Sequence, residues 1–197
     1  MNSLLVPAGA VRKDTPAALT DTDGAYTELQ TDALGNLRVV GSAAVGGNVQ
    51  RPTITVSATP DYAAGDVVGG IITLASVMAA TGRQALLRSV ALKDATGAGP
   101  ALSLLFFRAT PAGGTYTDNA AIVFGAADDD NLVGVVRVVA ADWYTPSGGG
   151  KSFVSLGGID VVMGSVTSDL YLLIVADGAY NAAATTDLTA EIGFEQR

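Results

Sequence analysis

QALLRSVALKD, Gln84 to Asp94, is the stretch on which the reading of the fold turns. Leu86, Arg88, Val90 and Leu92 fall on one side of an extended chain, and Leu87, Ser89, Ala91 and Lys93 on the other. That period of two is the period of a β-strand. The neighbouring segments follow the same rule. PTITVSA, Pro52 to Ala58, sets Ile54 and Val56 opposite Thr53, Thr55 and Ser57. ALSLLFFRA, Ala101 to Ala109, is apolar on both faces, which predicts a strand at the centre of a sheet.

Further runs complete the series: VVGGIITLA from Val67, AIVFG from Ala121, NLVGVVRVVAADW from Asn131, KSFVSL from Lys151, DLYLLIVA from Asp169 and DLTAEIGFE from Asp187. TGAGP, TPAGGTYTDN, ADDDN, TPSGGG and DGAYNAAATT separate them as loops. SVMAATG, Ser76 to Gly82, has room for one helical turn. Eight or nine short strands at this spacing, without an amphipathic helix, predict an all-β, antiparallel β-sandwich that is jelly-roll-like. No repeat of solenoid or propeller length is evident.

Upstream the pattern differs. Met1 to Thr20 carries Pro7, Gly9 and Pro16 and reads as an extended arm. AYTELQTD and NLRVV flank the turn pair Gly35-Asn36, so Tyr26 to Val40 reads as a small hairpin. A lone hairpin is marginal in water and needs a surface to lean on. Residues 1–41 are thus expected as an arm and hairpin for anchoring, 42–50 as a flexible small-residue linker, and 51–197 as the sandwich.

Composition narrows the chemistry. The 197 residues hold 19 acidic and 11 basic side chains, a net charge of -8, with no cysteine and no histidine. Disulfides, thiolate nucleophiles and cysteine or histidine metal ligands are excluded, along with the commonest general base. The scattered basic residues form no stripe, so neither nucleic acid nor an anionic membrane surface is an expected partner. No apolar run reaches the roughly 18 residues of a membrane span, and the N-terminus lacks a secretory pattern, so synthesis in the cytoplasm is expected.

Four motifs invite a chemical reading. SGGGKS, Ser147 to Ser152, resembles the end of a phosphate loop, but Thr145 stands where the first glycine belongs and a strand-like run follows. Asp128 to Asp130 reads as a solvated loop, since the alternating spacing of a calcium loop is missing. DTDG, Asp21 to Gly24, reads as an Asx-type turn. A carboxylate glycosidase would need a facing acid pair, with Glu28, Glu191 and Glu195 available, and no pair stands out. Trp143 is expected to cap the edge of the core. No enzyme, cofactor or metal is expected.

The run VRKDTPAALTDTDGAYTELQTDALGNLRVVG, Val11 to Gly41, resembles a segment of tailed-bacteriophage virion proteins. The matching phrases are Asp23-Gly24-Ala25-Tyr26, Leu29 to Asp32 and Leu34 to Val39. Tyr62 to Gly70, Pro100 to Ile122 and Gly134 to Trp143 also resemble phage structural domains. The resemblance implies a non-enzymatic β-sandwich that assembles on the particle. The expected role is a capsid cement or decoration protein that binds the outer shell across capsomers. Its expected partners are the major capsid protein and copies of itself, as a dimer or trimer, on the virion exterior. A tail, baseplate or head-fibre component and a carbohydrate-binding module are the alternatives. Tyr26, Leu29, Leu37 and Val39 are the expected apolar contacts of the anchoring hairpin.

Overall fold

The computed structural model describes residues 47–197. Eight strands cross this part of the chain: β1 (Gly47–Gln50), β2 (Val67–Leu74), β3 (Gln84–Asp94), β4 (Leu102–Phe107), β5 (Leu132–Val138), β6 (Ser152–Gly164), β7 (Leu170–Ala176) and β8 (Leu188–Gln196). They form two four-stranded sheets, the first ordered β1-β8-β3-β6 and the second β2-β7-β4-β5. Every neighbouring pair is antiparallel. The antiparallel β-sandwich predicted from the alternating runs is therefore the architecture observed.

The pairing is nested. β4 pairs with β5, β3 with β6, β2 with β7 and β1 with β8, and the β3–β8 and β4–β7 ladders complete the two sheets. The main core lies between the sheets, where Leu87, Leu104, Phe106, Leu172, Ile192 and their neighbours are buried. Phe106 meets Phe194 edge-on, with ring centroids 6.4 Å apart. That is a favourable aromatic geometry on top of the area both rings bury.

The two-sided apolar character of ALSLLFFRA has a direct cause. Leu104 and Phe106 of β4 face the main core, while Leu105 and Phe107 face a second cluster with Val67, Tyr116 and Leu173. This second cluster lies under the long β4–β5 connection. That connection is tied to the β2 end by Val67 N–H donating to Ala120 O (2.9 Å) and Ile122 N–H to Gly65 O (2.8 Å). The second sheet is thus covered by its own loop, and among the described residues no such loop covers the outer face of the first sheet.

Four local expectations are corrected. The alternation of Gln84–Asp94 breaks at a bulge between Leu87 and Ser89, so Ala85 and Leu87 share the core with Val90 and Leu92. The bulge frees Arg88 to pair with both Glu195 and Asp160. PTITVSA buries Ile54 and Val56 as its alternation implies, yet it joins neither sheet. Alternation reports which side is buried and does not supply a neighbour to pair with. AIVFG likewise forms only isolated bridges, Asp66 to Ala121 and Thr115 to Val123. Ser76 to Gly82 turns without forming a helix.

The linker reading also changes at its end. Gly47–Gln50 is β1, in register with β8 from Gly47↔Glu195 to Gln50↔Ile192. Small side chains leave backbone donors free to pair, and Asn48 and Gln50 add side-chain bonds to Ser76 O (2.7 Å) and Ala75 O (3.0 Å). The arm, the hairpin and residues 42–46 lie outside the described residues.

Candidate binding groove

The acidic residues are the first place to look for chemistry, and most of the buried ones hold loops. Asp94 is fully buried and accepts from the Thr96 and Gly99 amides (both 3.0 Å), the Thr96 hydroxyl (2.8 Å) and the Tyr180 hydroxyl (3.3 Å). Asp118, which is exposed, also holds a loop: it accepts from the Tyr62 hydroxyl and the Gly69 amide, both at 2.7 Å. Gly69 and Gly70, at φ 78° and 71°, form the β2 irregularity that turns this amide toward Asp118. Asp187 accepts from the Ala183 and Ala184 amides at 2.7 Å.

Asp128 is buried, contrary to the solvated-loop reading of Asp128 to Asp130; Asp129 and Asp130 are exposed as expected. Its carboxylate accepts from the Tyr116 hydroxyl (2.7 Å) and the Gly113 amide (2.8 Å). The Tyr116 bond, with the amides of Gly113 and Ala112, holds the Asp128 carboxyl below its ordinary value against the opposing effect of burial. Burial, reinforced by a carboxylate neighbour, raises the phenols of Tyr62, Tyr116 and Tyr180. These tyrosine–aspartate pairs act as pins for loops.

The other sequence candidates resolve as follows. SGGGKS runs through glycines with φ of 119°, 73° and 87° straight into β6, so a strand follows it where a phosphate loop needs a helix. Glu191 pairs with Arg51 at 2.8 Å, and Glu195 with Arg88 and Arg197. Both glutamates sit beside guanidinium groups on the outer face of β8. Among the described residues no group of three or more carboxylates is placed to hold a metal ion. Glu28, Asp21 and Asp23 lie outside the described residues, as do the expected hairpin contacts Tyr26, Leu29, Leu37 and Val39.

Trp143 caps the core as expected: it is buried, and its indole N–H donates to Pro100 O at 2.9 Å. Tyr144 follows it in an extended segment, where successive side chains point to opposite sides. Its ring is therefore turned outward and is 69% exposed. Tyr144 and Phe153 exchange both backbone hydrogen bonds, 2.8 and 3.0 Å, which places their side chains on the same face. Phe153 is itself 42% exposed.

These two rings stand over a groove of about 870 Å³ on the outer face of the first sheet. Its floor follows the ladder rows Phe153–Lys93–Thr189 and Ser155–Ala91–Glu191, which run from β6 across β3 to β8. Ala91 leaves the centre low. Arg51 and Asp142 close the two sides. The Asp142 carboxylate is held by the Val139 amide at 2.9 Å, and Arg51 pairs with Glu191 at 2.8 Å. The sequence signal that could have found the groove was the step from a core tryptophan to an adjacent tyrosine. The pairing of Tyr144 with Phe153 carries no such signal.

Comparison with protein-family models, with curated proteins and with solved structures finds no match to this chain.

Proposed function

We propose that the chain is a non-enzymatic structural protein of a tailed-bacteriophage particle, acting as a capsid cement or decoration protein. The observation that carries this reading is the phrase from Asp23 to Val39, which resembles phage virion proteins, together with the later matching phrases inside the sandwich. The fold supports it in three ways. The nested pairing of β1 with β8 through β4 with β5 suits a jelly-roll winding, a common shell-protein architecture. The buried acids are committed to holding loops. Among the described residues one outer sheet face stays open while the other is roofed by its own loop.

In this reading the sandwich sits on the capsid exterior, and the N-terminal 41 residues anchor it to the major capsid protein or to a sister copy. Weak contacts repeated over a symmetric shell add up by multivalency. Tyr26, Leu29, Leu37 and Val39 are the anchoring side chains. A co-sedimentation assay with particles lacking the protein tests this: the full chain pellets with particles, and a chain lacking Met1 to Gly41 does not. Equal pelleting of the two would sink the anchoring role. Copy number separates the shell from the tail. A shell protein is present at roughly hundreds of copies per particle and a tail, baseplate or head-fibre part at roughly tens or fewer, by symmetry.

A further inference from the structure

We propose that the groove beneath Tyr144 and Phe153 is a binding site for a neutral saccharide. The inference rests on the groove itself and holds wherever the protein resides. Four features of the site point to this ligand class. The first is shape. A volume of about 870 Å³ lies within the range of small-ligand sites, which are mostly apolar with a few placed polar groups.

The second is the pair of aromatic rings. Two backbone hydrogen bonds set Tyr144 and Phe153 opposite each other, with both side chains on the same face and exposed. The apolar C–H face of a sugar ring is complementary to such a platform. The third is charge. The lining contains two cations, Arg51 and Lys93, and two anions, Asp142 and Glu191. This balance occurs in a chain of net charge -8 and favours a neutral ligand over a phosphate or a basic peptide. The fourth is hydrogen-bonding capacity. Thr53, Ser155, Thr186 and Thr189 add hydroxyls that both donate and accept, which suits a polyhydroxylated partner.

A peptide is the competing occupant, and the topology disfavours it. Peptides that bind sheets usually add a strand at a free edge. The centre of the groove floor is β3, which at Ala91 to Lys93 is paired with β6 on one side and β8 on the other. No backbone row of β3 is left to receive an added strand. Asp142 is bonded to Val139 N–H and Glu191 to Arg51, so both lining carboxylates are held in place.

The test uses the full chain against neutral hexasaccharides of glucose (α- and β-linked), N-acetylglucosamine, mannose and galactose, by titration calorimetry. Trp143 fluorescence provides a second readout, since this single tryptophan adjoins Tyr144. At least one sugar should bind with Kd in the range of about 0.05 to 5 mM, typical of a few stacking and hydrogen-bond contacts. Tyr144→Ala and Phe153→Ala should each weaken it roughly three- to tenfold, with circular dichroism confirming the fold. Tyr144→Ala is the safer variant because its side chain is largely exposed. Val166→Ala, an exposed site on the β6–β7 connection, should leave Kd unchanged. The proposal is overturned if no sugar of the panel binds by about 10 mM, or if binding survives both alanine variants. It is also overturned if Tyr144→Ala instead abolishes self-association in sedimentation, which would assign the groove to a second copy.

Discussion

Replacing Asp94 with alanine should loosen one whole end of the sandwich, and the size of the effect follows from what the carboxylate holds. Asp94 has no exposed surface, and it accepts from two backbone amides, Thr96 and Gly99, and from the Thr96 and Tyr180 hydroxyls. In Asp94→Ala the Gly99 amide and the Tyr180 hydroxyl remain buried and lose their acceptor. Each orphaned buried donor costs about 1–3 kcal/mol, and the exposed part of the Thr96 turn can turn to water. The expected loss is about 3–5 kcal/mol, on the order of 10 °C in Tm for a domain of this size. Asn, which keeps one acceptor oxygen but brings donors against donors, should lose about half as much. The assay is urea unfolding followed by Trp143 emission. Gly99 packs on the Trp143 side chain, and the indole donates to Pro100 O, so the probe sits on the loop that Asp94 anchors. The variant's folded-state emission should also shift to the red. A loss under about 1 kcal/mol, with native emission unchanged, would refute the claim that Asp94 pins this loop.

Phe106→Ala removes a fully buried ring from between the sheets and should cost about 3–5 kcal/mol in urea unfolding; a cost below about 1.5 kcal/mol would mean that the core there collapses to fill the space. Gly125→Ala would place a methyl 2.3 Å from the Gly113 carbonyl carbon, so the β4–β5 connection must lift, and amide exchange across residues 109–131 should accelerate while β3 and β8 stay protected. The lowered Asp128 carboxyl adds stability that is complete above its ordinary value near pH 4 and fades as pH falls through the lowered value. Tyr116→Phe should therefore reduce stability at neutral pH and flatten its decline below about pH 4; an unchanged acid profile would count against the pair. Tyr62 and Tyr180 are shifted the other way, so their contribution is intact below about pH 10 and is lost as pH rises through the raised values. Ultraviolet titration should show both phenols ionising only as the protein unfolds, and early ionisation would contradict their burial.

Much of the fold was legible because strand formation has a local signature. The alternation of Gln84–Asp94, the two-sided apolar run at Ala101 to Ala109 and the turn-rich segments between them each report burial along a few residues. Trp143 as a core cap was legible in the same way. The fate of the acids was harder to see. Asp128 looks no different from Asp129 and Asp130 in sequence, and its partners Ala112, Gly113 and Tyr116, twelve to sixteen residues earlier, distinguish it.

The sequence by itself determined the class of the protein: an acidic, histidine-free and cysteine-free chain of alternating apolar strands that buries a sandwich core. The tertiary structure alone decided which strand neighbours which, where β3 bulges, which outer sheet face is roofed and where Tyr144 meets Phe153. The physical reason is that side-chain burial leaves its mark within a span of two to four residues, through the period of the strand. Pairing, edges and grooves are made between residues tens of positions apart, and no local pattern records which partner each strand will find.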